Sequence, residues 1–165
     1  HAAFEELVES FEGAVYRFFY CDHRDHHLAH EQSAETFVQL VSAFRTMRGG
    51  PEKLRAFVMS VARNVQRRSW RQRKTAHEPL PISMAASKRS PDDEAIQSEQ
   101  TNYILQVIAG LESPVGQILV MRFVDEYSLA EIAEALDLPL GTVKSHIHRG
   151  RNELKLLLER KEISE

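Results

Sequence analysis

The chain has 165 residues, of which 42% are hydrophobic and 27% charged. That is enough apolar side chain to exclude a wholly disordered chain, and the length allows one ordinary domain or two very small ones. No window approaches the roughly 18 consecutive apolar residues of a membrane-spanning helix, and residues 1 to 20 lack a basic segment followed by an apolar one. A lone cysteine, Cys21, forms no internal disulfide, so the expected setting is soluble and cytoplasmic.

The net charge of −3 argues against a polyanion partner only until it is divided along the chain. Residues 1 to 44 carry 2 basic and 8 acidic side chains, whereas residues 45 to 74 carry 10 basic and 1 acidic. Residues 75 to 140 return to 3 basic and 11 acidic, and residues 141 to 161 hold 6 basic and 2 acidic. Two cationic blocks separated by acidic stretches predict two local contact surfaces for a polyanion.

In chain order, Phe4, Leu7, Val8, Phe11, Val15, Phe18 and Phe19 recur at helical spacing and predict a first amphipathic helix. Phe37, Val38, Leu40, Val41 and Phe44 predict a second, ended by Arg48, Gly49, Gly50 and Pro51. Leu54, Phe57, Val58, Val61, Ala62 and Val65 predict a third, which runs into Arg67, Arg68, Arg71, Arg73 and Lys74. From Thr75 to Ser98 the periodicity disappears among Pro79, Pro81, Pro91 and several serines, the composition of a flexible linker. About four further helices follow. Their stripes contain Ile104 to Leu111, Val115 to Phe123, Leu129 to Leu136, and Val143 to Leu158. No period-two pattern persists, so the expected fold class is all-α: two small helical domains, residues 1–74 and 99–165, joined by a linker over 75–98.

Residues 128 to 151 read SLAEIAEALDLPLGTVKSHIHRGR. Ser128 with Glu131 three positions on fits a capping box that starts a short helix. Asp137 to Leu140 break it, and Val143 with Ile147 then form the inward pair of a second helix. Thr142, Lys144, Ser145, His146, His148, Arg149 and Arg151 are left for its outer side and flanks. This is the pattern of a helix-turn-helix whose second helix enters a major groove, with early residues at base edges and later cations on phosphates. A helical hairpin with no nucleic-acid role is the bland alternative.

The segment resembles region 4 of bacterial sigma factors of the extracytoplasmic-function (ECF) class, where EIA and a turn precede GTVKSR and HRAR. His146 stands where that pattern has Arg, and Gly150 where it has Ala. Residues 54 to 74, LRAFVMSVARNVQRRSWRQRK, resemble region 2.4 of the same family, with Ala62, Arg63 and Asn64 matching and Phe57 at the usual Trp position. The resemblance implies that residues 1–74 recognise the −10 element and core polymerase, and residues 99–165 the −35 element. The −10 contacts it implies are Arg45, Arg48, Lys53, Arg63, Asn64, Arg67, Arg68, Arg71, Arg73 and Lys74. Residues 29 to 37, AHEQSAETF, are similar to the family's polymerase-docking motif and put Glu31, Glu35 and Gln39 on that surface. The implied partners are core RNA polymerase, promoter DNA and an anti-sigma factor, with no cofactor and no catalysis.

Two other readings stay open at this point. One is a helix-turn-helix regulator that needs no polymerase. The other is a metal-sensing variant: Cys21, His23, His26, His27 and His30 fall within ten residues, and one continuous helix would put His23, His27 and His30 on one face as metal ligands. A hydrophilic, histidine-rich turn is the bland account of the same run.

Overall fold

A computed structural model describes residues 1–76 and 99–164 and contains seven α-helices. They are α1 (Ala2–His23), α2 (His26–Ala43), α3 (Leu54–Ala76), α4 (Glu99–Ala109), α5 (Val115–Phe123), α6 (Leu129–Leu136) and α7 (Leu140–Ser164). Two short 3-10 turns, Phe44–Thr46 and Pro51–Lys53, bracket the glycine loop between α2 and α3. Among the described residues there is no strand, in agreement with the all-α expectation. The linker expected over 75–98 lies largely outside them.

Helix ends follow local chemistry. Arg24 takes left-handed backbone (φ 53°) and its N–H closes on the Tyr20 carbonyl, ending α1; Asp25 then caps α2 by accepting from the Leu28 N–H at 3.2 Å. The turn between the first two helices is thus only Arg24 and Asp25, and α2 begins among the histidines rather than after them. Ser128 and Glu131 form the predicted capping box, with Glu131 N–H to Ser128 Oγ at 3.0 Å and Ser128 N–H to Glu131 Oε1 at 2.9 Å. Asp137, also left-handed (φ 53°), ends α6 and turns the chain into α7.

The stripes mostly bury as expected, with six exceptions, among them Ile104, Leu157 and Leu158. Val15, Phe18, Phe19, Leu40, Val58, Met59, Ile118, Ile132, Leu136 and Val143 are all buried. Val38 and Val41, by contrast, are 64% and 60% exposed, and Phe123 is 51% exposed. On α2 the buried face carries Ala29, Gln32, Ser33, Thr36 and Leu40, with Phe37 packed beside it. Val38 and Val41 lie round the helix from it.

The two halves of the chain are packed together. α6 lies on α3, while α4 and α5 lie on α1. One continuous apolar cluster contains Val15 and Phe18 from α1, Val58 and Met59 from α3, and Ile118, Met121, Ile132 and Leu136 from the second half. A second cluster is built from α4 and α5 and takes Cys21 of α1 into its middle. Burying these faces against each other removes apolar surface that each half would otherwise leave in water.

Candidate nucleic-acid interface

The helix-turn-helix is positioned by close packing of α7 on α5. Val143 is fully buried, and Gly150 is buried where a Cβ would lie 2.7 Å from both Leu119 Cδ1 and Val115 Cγ1. A glycine inside a helix costs about 1 kcal/mol relative to alanine. Here it lets α7 approach α5 more closely than a methyl group would permit.

With Val143 and Gly150 inward, the opposite side of α7 faces solvent. Lys144, Ser145, His148, Arg149 and Arg151 are exposed; Thr142 and His146 are half-buried. Arg149 Nη2 lies 3.0 Å from His146 Nδ1, within hydrogen-bond reach. Burial, and then the Arg149 charge, push the His146 imidazole below its ordinary pKa. Neutral His146 with Nδ1 as acceptor fits that contact. It brings no cation to the surface where the ECF pattern has an arginine.

Beside this face runs a groove of about 700 Å³ lined by Arg122, Phe123, Lys144, His148, Arg151 and Lys155, among others. No acidic side chain lines it. Arg122 is anchored through Nη1 to the Tyr127 carbonyl at 3.0 Å. Arg122, Phe123 and Lys155 were absent from the sequence-derived set. Arg122 and Phe123 end an apolar run that reads as core, and Lys155 lies beyond the motif.

In the first half, α3 carries two adjacent stripes. Asn64, Arg68 and Arg71 are exposed on one; Arg63, Arg67, Trp70 and Lys74 follow the next at spacings of four, three and four. Arg45, Arg48 and Lys53 are exposed around the loop in which Gly49 has φ 104°. Arg63 is drawn into the molecule, where its guanidinium lies 5.2 Å from the Trp70 ring centroid and Nη1 donates to Gln66 Oε1 at 2.5 Å. Burial, then Arg67, lowers its pKa from the usual arginine value. Trp70 in turn donates from Nε1 to Asp22 Oδ2 on α1 at 3.2 Å, so its ring is held against the first helix.

The histidine run does not form the ligand set of the metal-sensing alternative. α1 ends at His23, the chain turns at Arg24 and Asp25, and His27 and His30 stand on α2, so the one-face argument fails. His23 is enclosed: Nε2 is 2.9 Å from Gln32 Oε1, and Arg73 Nη1 is 3.3 Å from Nδ1. His27 is exposed, with Nδ1 3.9 Å from Glu31 Oε2. Among the described residues no group of histidine, cysteine and carboxylate side chains is placed to hold a metal ion. Arg73, expected on DNA, is thereby tied to the α1–α2 corner.

On α2, Glu31 and Glu35 are exposed, and Gln39 donates from Nε2 to Glu35 Oε1 at 2.7 Å. Val38 and Val41 share that outer surface, giving a mixed acidic and apolar face that periodicity alone assigned to the core.

The model of the family "Sigma-70, region 4" matches residues 101–154. The ECF RNA polymerase sigma factor SigW of Bacillus subtilis (strain 168) is 28% identical over 93% of this chain and 87% of its own length. SigX of the same organism is 22% identical over 94% of this chain and 84% of its own. Over nearly its whole length the chain is similar to ECF sigma factors. A solved structure of the sigma factor RpoE, in complex with the anti-sigma factor NepR from Bartonella quintana, superposes on this chain with a TM-score of 0.77. The two are 17% identical, and the superposition covers 96% of this chain and 98% of that one, a likeness of fold. Both the helix-turn-helix and the three-helix first half of this chain fall within the span of these relatives.

Proposed function

We propose that this chain is a transcription initiation factor that binds core RNA polymerase and directs it to promoters. Residues 1–74 take the −10 element and the polymerase, residues 99–165 the −35 element, and 75–98 connect them. The observation that carries this reading is the pairing, on one chain, of a helix-turn-helix with an exposed cationic recognition side and a second helix, α3, with its own cationic stripes. Each alone is a general polyanion surface; together they suit a partner with two elements.

In the second half, Lys144, Ser145, His148 and Arg149 meet base edges and flanking phosphates, with Arg122, Arg151 and Lys155 on the backbone and Thr142 and His146 at the margin. In the first half, Arg45, Arg48, Lys53, Asn64, Arg67, Arg68, Arg71 and Lys74 follow phosphates and unpaired bases, while Arg63 and Arg73 act from the more enclosed side. Region 2 binds separated strands better than paired ones, and that difference stabilises the melted promoter. The work is done by binding, without a catalytic group. Glu31, Glu35 and Gln39, with Val38 and Val41 beside them, form the polymerase-docking face. An anti-sigma factor is a further partner, as in the RpoE–NepR complex. No described helix is long and apolar enough to cross a membrane, and the site of action is the cytoplasm.

Transcription in vitro with core polymerase tests the reading. The chain is expected to confer promoter-specific initiation, and Arg149→Ala or Arg68→Ala with Arg71→Ala to lower it at least tenfold. Promoter binding that is equally strong without polymerase, with no stimulation of initiation, would instead indicate a free-standing regulator.

A further inference from the structure

Arg149 stands apart from the other cations of α7. Lys144, His148, Arg151 and Lys155 follow one another at spacings of four, three and four and line the groove beside Arg122, whereas Arg149 does not. Its backbone is held in place from behind, because Gly150, the next residue, is buried where a Cβ would lie 2.7 Å from Leu119 Cδ1 and Val115 Cγ1. The tip of its exposed side chain is held as well. Arg149 Nη2 donates to His146 Nδ1 at 3.0 Å, one turn earlier on the same side of the helix. Among the described residues no carboxylate pairs with the Arg149 guanidinium, so that imidazole nitrogen is what fixes it.

An acceptor at position 146 matters because of what a guanidinium needs in order to read a base. It recognises guanine through two N–H groups aimed together at O6 and N7, and a long exposed side chain that wanders presents that fork only part of the time. Restraint at one Nη2 hydrogen leaves the remaining donors of the fork free and sets their direction. The hold depends on an uncharged ring. Burial, then the charge of Arg149 itself, keep the imidazole below its ordinary pKa, so Nδ1 retains the lone pair that accepts. An arginine at this position has no acceptor to offer and would push Arg149 away.

We propose that His146 is a positioning residue for base reading: its Nδ1 fixes the Arg149 guanidinium so that the fork meets one guanine of the −35 element in the major groove. Position 146 thus acts on selectivity at the base pair under Arg149 rather than on the strength of phosphate binding. The inference rests on the reading of residues 99–165 as the −35-binding half. It separates two quantities that a change of charge alone would move together: His146→Arg tightens binding at low salt and yet blunts the preference for that guanine.

The experiment uses a library of barcoded promoters with a randomised −35 element. It is transcribed by holoenzyme made from core polymerase and the full chain, and the transcripts are sequenced; in parallel, the full chain alone selects from the same library as free duplex. Arg149→Ala locates the base pair, at which the preference for guanine is expected to fall at least tenfold. His146→Ala is expected to lower the preference at that same base pair at least threefold and to change every other position less than twofold. His146→Asn, whose Oδ1 occupies the place of Nδ1, is expected to restore it to within twofold of wild type, whereas His146→Arg resembles His146→Ala at that position. With Arg149→Ala already present, His146→Ala should have no further effect on selectivity. A merely structural role for His146 would instead weaken all positions alike, persist in the Arg149→Ala background and escape rescue by asparagine. Each of those results overturns the proposal, as does an unchanged preference in His146→Ala or an Arg149→Ala protein that flattens no position. If the wild-type holoenzyme initiates nowhere in the library, the sigma-factor reading fails, and the duplexes selected by the chain alone still decide the role of His146.

Discussion

His146 shows how one side chain can alter the interface without altering the fold. Its imidazole is held neutral by burial and by Arg149, so at pH 7 the recognition helix lacks a cation that the ECF pattern supplies. Each phosphate neutralised adds about −0.9 to the slope of log K against log salt. His146→Arg is therefore expected to steepen the salt dependence of −35 duplex binding by about one such increment and to tighten binding at low salt. Fluorescence anisotropy across 50 to 200 mM salt would measure it, and an unchanged slope would show that position 146 faces no phosphate. The cationic character of positions 144 to 151 was legible in the sequence, because charge in a helix-turn-helix motif has few other uses. The place of Arg122 in the groove was not, since a cation at the end of an apolar run reads as a helix terminus until the fold brings α7 alongside.

The helices themselves were set largely by local signals. The capping box at Ser128 is the best case: sequence spacing predicted it, and both reciprocal hydrogen bonds are present. Because it starts α6, whose far side packs on α3, Ser128→Ala should lower global stability by about 1 kcal/mol. Urea denaturation followed by circular dichroism would detect that as a lower midpoint with an unchanged slope. Where sequence reading failed, a neighbour decided the outcome. Val38 and Val41 have the periodicity of core residues, but α2 buries the face of Ala29, Gln32, Ser33, Thr36 and Leu40 and leaves them in water. The histidine run has the spacing of a metal face only if the helix is unbroken, and Arg24 in left-handed backbone breaks it. Gly150, costly by helix propensity, is required by the distance between α5 and α7.

Across the whole molecule the governing contact is that between the halves, and its most enclosed ion pair is Arg17 with Asp125. Removing one partner of such a pair leaves a charge stranded in a poor solvent, at a typical cost of about 3 kcal/mol or more. Arg17→Ala is expected to approach that loss in chemical denaturation. Arg17→Met combined with Asp125→Asn should lose clearly less than the two single changes added together, because no charge then remains buried. Strict additivity would mean that the two side chains do not depend on each other.

By itself, the sequence determined that the chain is helical, that it carries two cationic blocks, and that one of them lies on a helix-turn-helix. Those properties depend on periodicity, caps and charge within about 25 residues, which any short stretch of chain expresses locally. Only the tertiary structure decided that the two halves share a core, that Lys53, Arg55 and Arg17 are taken by carboxylates more than 75 positions away, and that Cys21 lies beneath α4 and α5. Such contacts depend on which apolar faces find each other across long separations, and a residue's own neighbours in sequence carry no record of that choice.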